Sequence, residues 1–173
     1  MAWEIDPSHT LVEFAVVHLM INTVKGRFTD ISGTIHLDAQ QPETSWVKAQ
    51  VKAASIQTGV AQRDAHLRSA DFFDVSKFPL IAFESTRITN VEKNHCTLHG
   101  NLSLHGVTRP IEFQAEYTGH NRDPFSGGWR AGLYATTVID RRDFAMSFEQ
   151  THMGIATVGY KVRIEINAEA ILL

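Results

Sequence analysis

The sequence predicts an all-β domain of about eight antiparallel strands, because apolar and polar residues alternate with period two along most of its 173 residues. Turn-forming residues punctuate the alternating runs, and only the stretch from Gly59 to Pro79 leaves strand character. Hydrophobic residues make up 43% and charged residues 20%, which are globular values and exclude a disordered or fibrous chain. One packed domain over residues 1–173 is therefore expected.

The first clear strand is Leu11 to His18, where Val12, Phe14, Val16 and His18 share one face and Glu13 takes the other. Ile31, Gly33, Ile35 and Leu37 repeat the pattern, followed by Val47, Ala49, Val51, Ala53 and Ser55 set against Lys48, Gln50 and Lys52. Within the crossover over residues 60–78, Arg63 to Ala70 suits a short helix, and Pro79 returns the chain to an extended path. Alternation resumes with Ile81, Phe83 and Ser85, then with Cys96, Leu98, Leu102 and Leu104, and then with Ile111, Phe113, Ala115 and Tyr117 against Glu112, Gln114 and Glu116. Trp129, Ala131, Leu133 and Ala135 precede a long final strand in which Val158, Tyr160, Val162, Ile164, Ile166 and Ala168 oppose Lys161, Arg163 and Glu165. Turns are expected at Gln41-Pro42, at His105-Gly106 and over the polar stretch Gly119 to Gly128.

Sequential strands with one wet face form either a sandwich or a closed barrel, and closure removes edges that invite aggregation. The period leaves the two open. Small residues at Ala49, Ala53 and Ser55 on one row would leave space that a barrel of about eight strands uses for a single ligand, unless large residues opposite fill it.

The net charge of −3 comes from 16 basic and 19 acidic residues scattered along the chain, without the basic block that neutralises a phosphate backbone, so nucleic acid is not an expected partner. A lone Cys96 forms no internal disulfide. The opening Met-Ala-Trp-Glu-Ile-Asp has no secretory pattern, which leads to the expectation of a cytoplasmic protein; a trimmed periplasmic form given a new Met would read the same. No apolar run reaches transmembrane-helix length, and stable membrane insertion is not expected.

Several motifs follow one another in a specific order. Asp6-Pro7-Ser8-His9-Thr10, Phe14 and His18-Leu19-Met20 lead to Val24-Lys25-Gly26-Arg27-Phe28 and Ile31-Ser32-Gly33. Ser55-Ile56-Gln57-Thr58-Gly59 precedes Arg63 to Asp74, and Phe78-Pro79 precedes Phe83-Glu84-Ser85-Thr86. Gly100 to Leu104, His105-Gly106-Val107-Thr108-Arg109-Pro110 and Arg142-Asp143-Phe144 complete the series. Over nearly its whole length the chain resembles the YceI-like, lipid-binding family. The resemblance implies an extended, lipocalin-like antiparallel barrel whose apolar cavity holds a polyisoprenoid, such as a prenyl quinone or prenyl phosphate, or another long-chain amphiphile, often in a homodimer. It implies no cofactor beyond that lipid. Two positions depart from the family pattern: Thr10 replaces Ser and keeps the hydroxyl, and Ala145 replaces Gly, a strained choice if the backbone there needs a positive φ.

A carrier would wall its cavity with Phe14, Val16, Val51, Phe83, Leu102, Phe113, Leu133 and Val162, and burial of the chain would supply the affinity. His18, by parity an inward residue, is either a donor to a ligand head group or a core histidine bonded to backbone. Arg63 and Ser55 are further candidates for orienting the ligand. The Arg63–Phe73 segment either caps the cavity or is simply fastened to the barrel by Leu67, Phe72 and Phe73. His95, His99 and His105 share parity, yet stand about 13 Å and 20 Å apart at strand rise, too far for one ion, and are expected to face water. No metal site is expected. The chain holds no nucleophile elbow, phosphate loop, His-Glu-x-x-His or Cys-x-x-Cys. No catalytic residue is assigned. Two other readings stay open: a lipid-ester hydrolase using a Ser/His pair at the cavity, and an interaction module with a filled barrel.

Overall fold

Breaks divide the first three long strands in two, by 3-10 turns at residues 7–9 and 53–55 and by an irregular pair at residues 29–30, and they let one up-and-down sheet bend far enough to close. The computed structural model describes residues 1–152 and 155–173. The first strand consists of β1 (Ala2–Ile5) and β2 (Leu11–His18), the second of β3 (Asn22–Phe28) and β4 (Ile31–His36), and the third of β5 (Trp46–Lys52) and β6 (Ile56–Gln57). Helix α1 (Ala61–Arg68) then crosses to β7 (Leu80–Glu92), followed by β8 (His95–Leu104), β9 (Val107–Arg122) and β10 (Trp129–Asp140). The two-residue strands β11 (Thr151–His152) and β12 (Ile155–Ala156) pair with each other before β13 (Val158–Leu172).

The sheet runs β1-β4-β5-β7-β8-β9-β10-β13, and β13 pairs with β1 to close a ring of eight antiparallel strands. Below the breaks, β2, β3 and β6 continue β1, β4 and β5 around the other half of the barrel, with β2 also pairing to β13. The closed barrel expected from the family resemblance is therefore the fold. No helix among the described residues is long and apolar enough to cross a membrane.

Local chemistry explains the first break. Pro7 cannot donate to a ladder, and the Asp6 carboxylate accepts the Ser8 amide at 2.9 Å, turning residues 7–9 out of the sheet. Thr10 repairs the gap: its hydroxyl donates to the Glu169 carbonyl at 3.3 Å and accepts the Glu169 amide at 3.2 Å, standing in for a missing backbone partner. The hydroxyl at this position thus has a structural task that Thr meets as well as Ser.

The second and third breaks meet at Ser55. Its hydroxyl accepts the amides of Thr29 at 3.2 Å and Asp30 at 3.1 Å, and donates to the Lys52 carbonyl at 2.7 Å. The strand expected to run through Ser55 therefore stops at Lys52, and residues 53–55 form a 3-10 turn.

The β8–β9 turn at His105-Gly106 is as expected, with both residues at positive φ (54° and 74°). Phe78 lies against this turn so closely that a Cβ at position 106 would come within 2.5 Å of its ring. The polar stretch from Gly119 behaves differently. Residues 119–122 extend β9 and pair with β10, and only 123–128 turn, with the Asp123 carboxylate accepting the Phe125 amide at 2.8 Å. Ala145 takes the left-handed conformation (φ 57°, ψ 21°) at the end of the 3-10 turn 141–144, so the strain expected of a non-glycine residue is present there.

Candidate functional site

Among the described residues, two chambers open in the barrel interior. The inner one, ≈ 170 Å³, is roofed by Leu67 of α1 and by Phe72 and Phe73 just after it. The outer one, ≈ 890 Å³, lies toward β1, β4 and the 123–128 end of the barrel. They follow each other along the barrel axis, because several strands pass from one to the other. On β8, Leu104 and Leu102 line the inner chamber while Leu98 and Cys96 line the outer; on β5, Val51 and Ala49 give way to Val47, and on β9, Phe113 to Ala115 and Tyr117.

The inner chamber is almost wholly apolar. Only Glu13, Gln50 and Arg141 interrupt its lining, and Glu13 and Gln50 sit at strand positions that alternate outward. Of the residues expected to wall the cavity, Phe14, Val16, Val51, Phe83, Leu102, Phe113 and Val162 line this chamber, and Leu133 lines the outer one. The period-two inward rows thus come together on one lumen.

The polar candidates do not join them. His18 has inward parity but lies at the exposed end of β2, opposite Asn22 and Val158, and lines neither chamber, so the expected burial is corrected. Ser55 is engaged at the strand breaks. Arg63 donates through Nε to the Thr58 hydroxyl and through Nη2 to the Thr58 carbonyl, both at 2.7 Å, while buried Asp64 accepts the Thr58 amide at 2.9 Å. These bonds fasten the N-terminal end of α1, and Arg68 adds two more, to the carbonyls of Ala54 and Ile56 at 2.9 Å each. The crossover is therefore both fastened to the barrel and placed as its cap. Its helix spans residues 61–68 rather than 63–70.

The three histidines of equal parity stay apart. His95 is exposed, His105 bonds the Phe144 carbonyl at 3.0 Å, and His99 meets the Thr89 hydroxyl at 2.7 Å and Glu112 at 3.3 Å. Side-chain exposure of His99 is only 13%, so the expectation that it faces water is corrected; outward packing against β7 and β9 covers it.

Three features escaped the periodicity. Arg141 is 3% exposed and has no carboxylate partner among the described residues; its guanidinium donates to the carbonyls of Met146 (2.6 Å), Gly159 (3.0 Å) and Val158 (3.3 Å) and lies over Tyr160 and Phe72. Burial lowers its pKa. It ties Met146 to Val158 and Gly159 at the end of the inner chamber that Phe72 closes, and a residue in a turn carries no alternation to reveal it.

The outer chamber is the second feature. Trp3, Trp46, Trp129, Tyr117, His36 and His120 surround it, with His36 and Trp46 stacked at 6.0 Å and Tyr117 hydrogen-bonded to His120. Burial raises the pKa of the Tyr117 phenol and of the Cys96 thiol, which keeps both protonated. The third feature is an ion network in which Asp6, His9 and Glu169 place ligand atoms within 4.8 Å of one another. Arg130 sits among them, 2.7 Å from Asp6 and 2.6 Å from Glu169, and supplies the positive charge that these carboxylates balance.

Residues 3–170 match the YceI-like domain family. A UPF0312 protein of Azotobacter vinelandii is 41% identical over 141 residues, covering 82% of this chain and 73% of the relative. Among solved structures, the Campylobacter jejuni YceI protein superposes with a TM-score of 0.79 at 28% identity, over 91% of this chain and 90% of that one. A polyisoprenoid-binding domain from Saccharophagus degradans shares the fold at a TM-score of 0.73 and 13% identity, over 99% and 98% of the two chains. With family match, sequence relative and barrel in agreement, the chain belongs to the YceI-like family.

Proposed function

We propose that the protein binds and carries, or stores, a long-chain amphiphile without transforming it, and that the cargo is a polyisoprenoid such as a prenyl quinone or prenyl phosphate. The observation that carries this reading is the inner chamber: a lumen walled by aliphatic and phenyl side chains under an apolar cap offers nothing to a polar solute. Each methylene moved into it from water contributes about 0.8 kcal/mol, so a chain of a few isoprene units reaches useful affinity with little polar contact. The shared fold with a polyisoprenoid-binding domain supports the choice of cargo.

The absence of catalysis is part of the proposal. Among the described residues, the inner lining contains no serine, threonine, cysteine or histidine, so the nucleophile and base of a lipid hydrolase would have to act elsewhere. Delipidated protein titrated with a prenyl quinone and with a prenyl phosphate should bind at least one of them saturably at one per chain, and leave a chromogenic acyl ester intact. Turnover of the ester that is lost when Cys96 and the outer-chamber histidines are replaced would favour the hydrolase; no binding of any lipid would favour the filled-barrel interaction module.

A further inference from the structure

The two chambers are divided by side chains and not by backbone. Phe83 on β7 and Phe113 on β9 reach past β8 to meet edge to face, with ring centroids 5.2 Å apart and planes at 86°. The β8 residue beneath them is Gly100, and Phe83 lies on it so closely that a Cβ there would fall 2.4 Å from the Phe83 Cζ. Strand register fixes the level of this pair: Phe83 stands opposite Leu102, an inner-chamber residue, and Phe113 opposite Leu98, an outer-chamber residue. The rings therefore occupy the step at which the lining passes from one chamber to the other.

We propose that Phe83, seated on Gly100 and held edge-on by Phe113, sets the length of chain that the lumen accepts. This rests on the reading of the protein as a carrier of an apolar chain. A short chain fits within one chamber and leaves the rings in contact. A long chain has to pass the step, which it does by turning the Phe83 ring aside and giving up its contacts with Phe113 and the flat surface of Gly100. The backbone ladder stays in place during this movement, because the strands β7, β8 and β9 are paired on both sides of the step. Wild-type protein thus admits a chain that spans both chambers at the cost of displacing the ring, and removal of the ring removes that cost.

The test is a ladder of all-trans prenyl alcohols of increasing chain length, titrated into delipidated wild type, Phe83→Ala and Phe83→Leu, with folding checked by circular dichroism. The readout is the affinity for the longest alcohol relative to the shortest, which should be about tenfold higher in Phe83→Ala than in wild type, the equivalent of two further buried methylenes. Phe83→Leu should fall between them, and its smaller loss of volume guards against a misfolded alanine variant. The same length profile in all three proteins, with binding retained, would overturn the proposal. Failure of every alcohol to bind any of the proteins would instead overturn the carrier reading and take the length gate with it.

Discussion

Arg130 Nη1 lies 2.7 Å from Asp6 Oδ2, across the seam at which β1, β10 and β13 meet. The same guanidinium reaches Glu169 at 2.6 Å and Asp123 at 2.9 Å, so one cation joins the first strand break, the last strand and the 123–128 turn. Its replacement by Met would leave three carboxylates crowded with His9, 2.8 Å from Asp6, as their remaining partner. Arg130→Met should therefore lower the thermal midpoint clearly, and more than Lys48→Met does, because the Lys48–Glu84 pair is exposed on both sides. Equal midpoints for the two variants would contradict a role for the network in closing the barrel.

The network also gives stability a pH dependence. Arg130 first, and His9 second, hold the Asp6 carboxyl well below its ordinary value of 3.8. A depressed carboxyl stabilises the fold above its unfolded pKa, and that contribution disappears as pH falls from near 4 toward the folded value. His9 acts with the opposite sign: Asp6 raises its pKa above 6.5, so its contribution is complete below that value and fades as pH rises through the folded pKa. Thermal midpoints recorded from pH 3 to pH 8 should peak on the acid side of neutrality, and Asp6→Asn should flatten the acid limb. An acid limb unchanged in Asp6→Asn would assign acid unfolding to other carboxylates.

Ala145 holds a left-handed conformation that costs an alanine about 1–2 kcal/mol, while glycine adopts it freely at some cost in unfolded-chain entropy. Ala145→Gly should stabilise the protein by roughly 0.5–1 kcal/mol in urea unfolding, with no change in m. Destabilisation would mean that the Cβ makes contacts worth more than the strain.

Core and lumen should respond differently to changes in volume. Phe144 is 1% exposed and packed on every side, so Phe144→Ala should cost about 3–5 kcal/mol. Val162 borders open space in the inner chamber, and Val162→Phe should fill that space at little cost in stability, whereas a close-packed site would lose about 1–3 kcal/mol. The same variant should weaken lipid binding at least tenfold, in the range expected when a couple of methylenes lose their place. A large loss of stability with unchanged binding would locate the ligand elsewhere.

Periodicity showed which face of each strand turns inward, and for that reason Phe14, Val51, Phe83 and Leu102 were readable as lumen residues. It carried no information on depth along the barrel axis, and His18, with the right parity, lies beyond the end of the chamber. Strand β3 was missed because its inward row, Val24, Gly26 and Phe28, contains a glycine that looks like a break. That glycine makes room for the Phe14 ring, whose Cζ would sit 2.3 Å from a Cβ there. Residues 119–122 read as a loop because both faces of a barrel end are wet. The two chambers were beyond reach, since the Phe83–Phe113 contact depends on three strands whose register only the folded chain reveals.

The central claim is that the lumen holds a long apolar chain. Protein purified from its native host, denatured and extracted with organic solvent, should yield one prenyl lipid per chain by mass spectrometry. An extract that stays empty, even after the folded protein has been offered prenyl quinones and prenyl phosphates, would contradict carriage and leave the barrel as an interaction module.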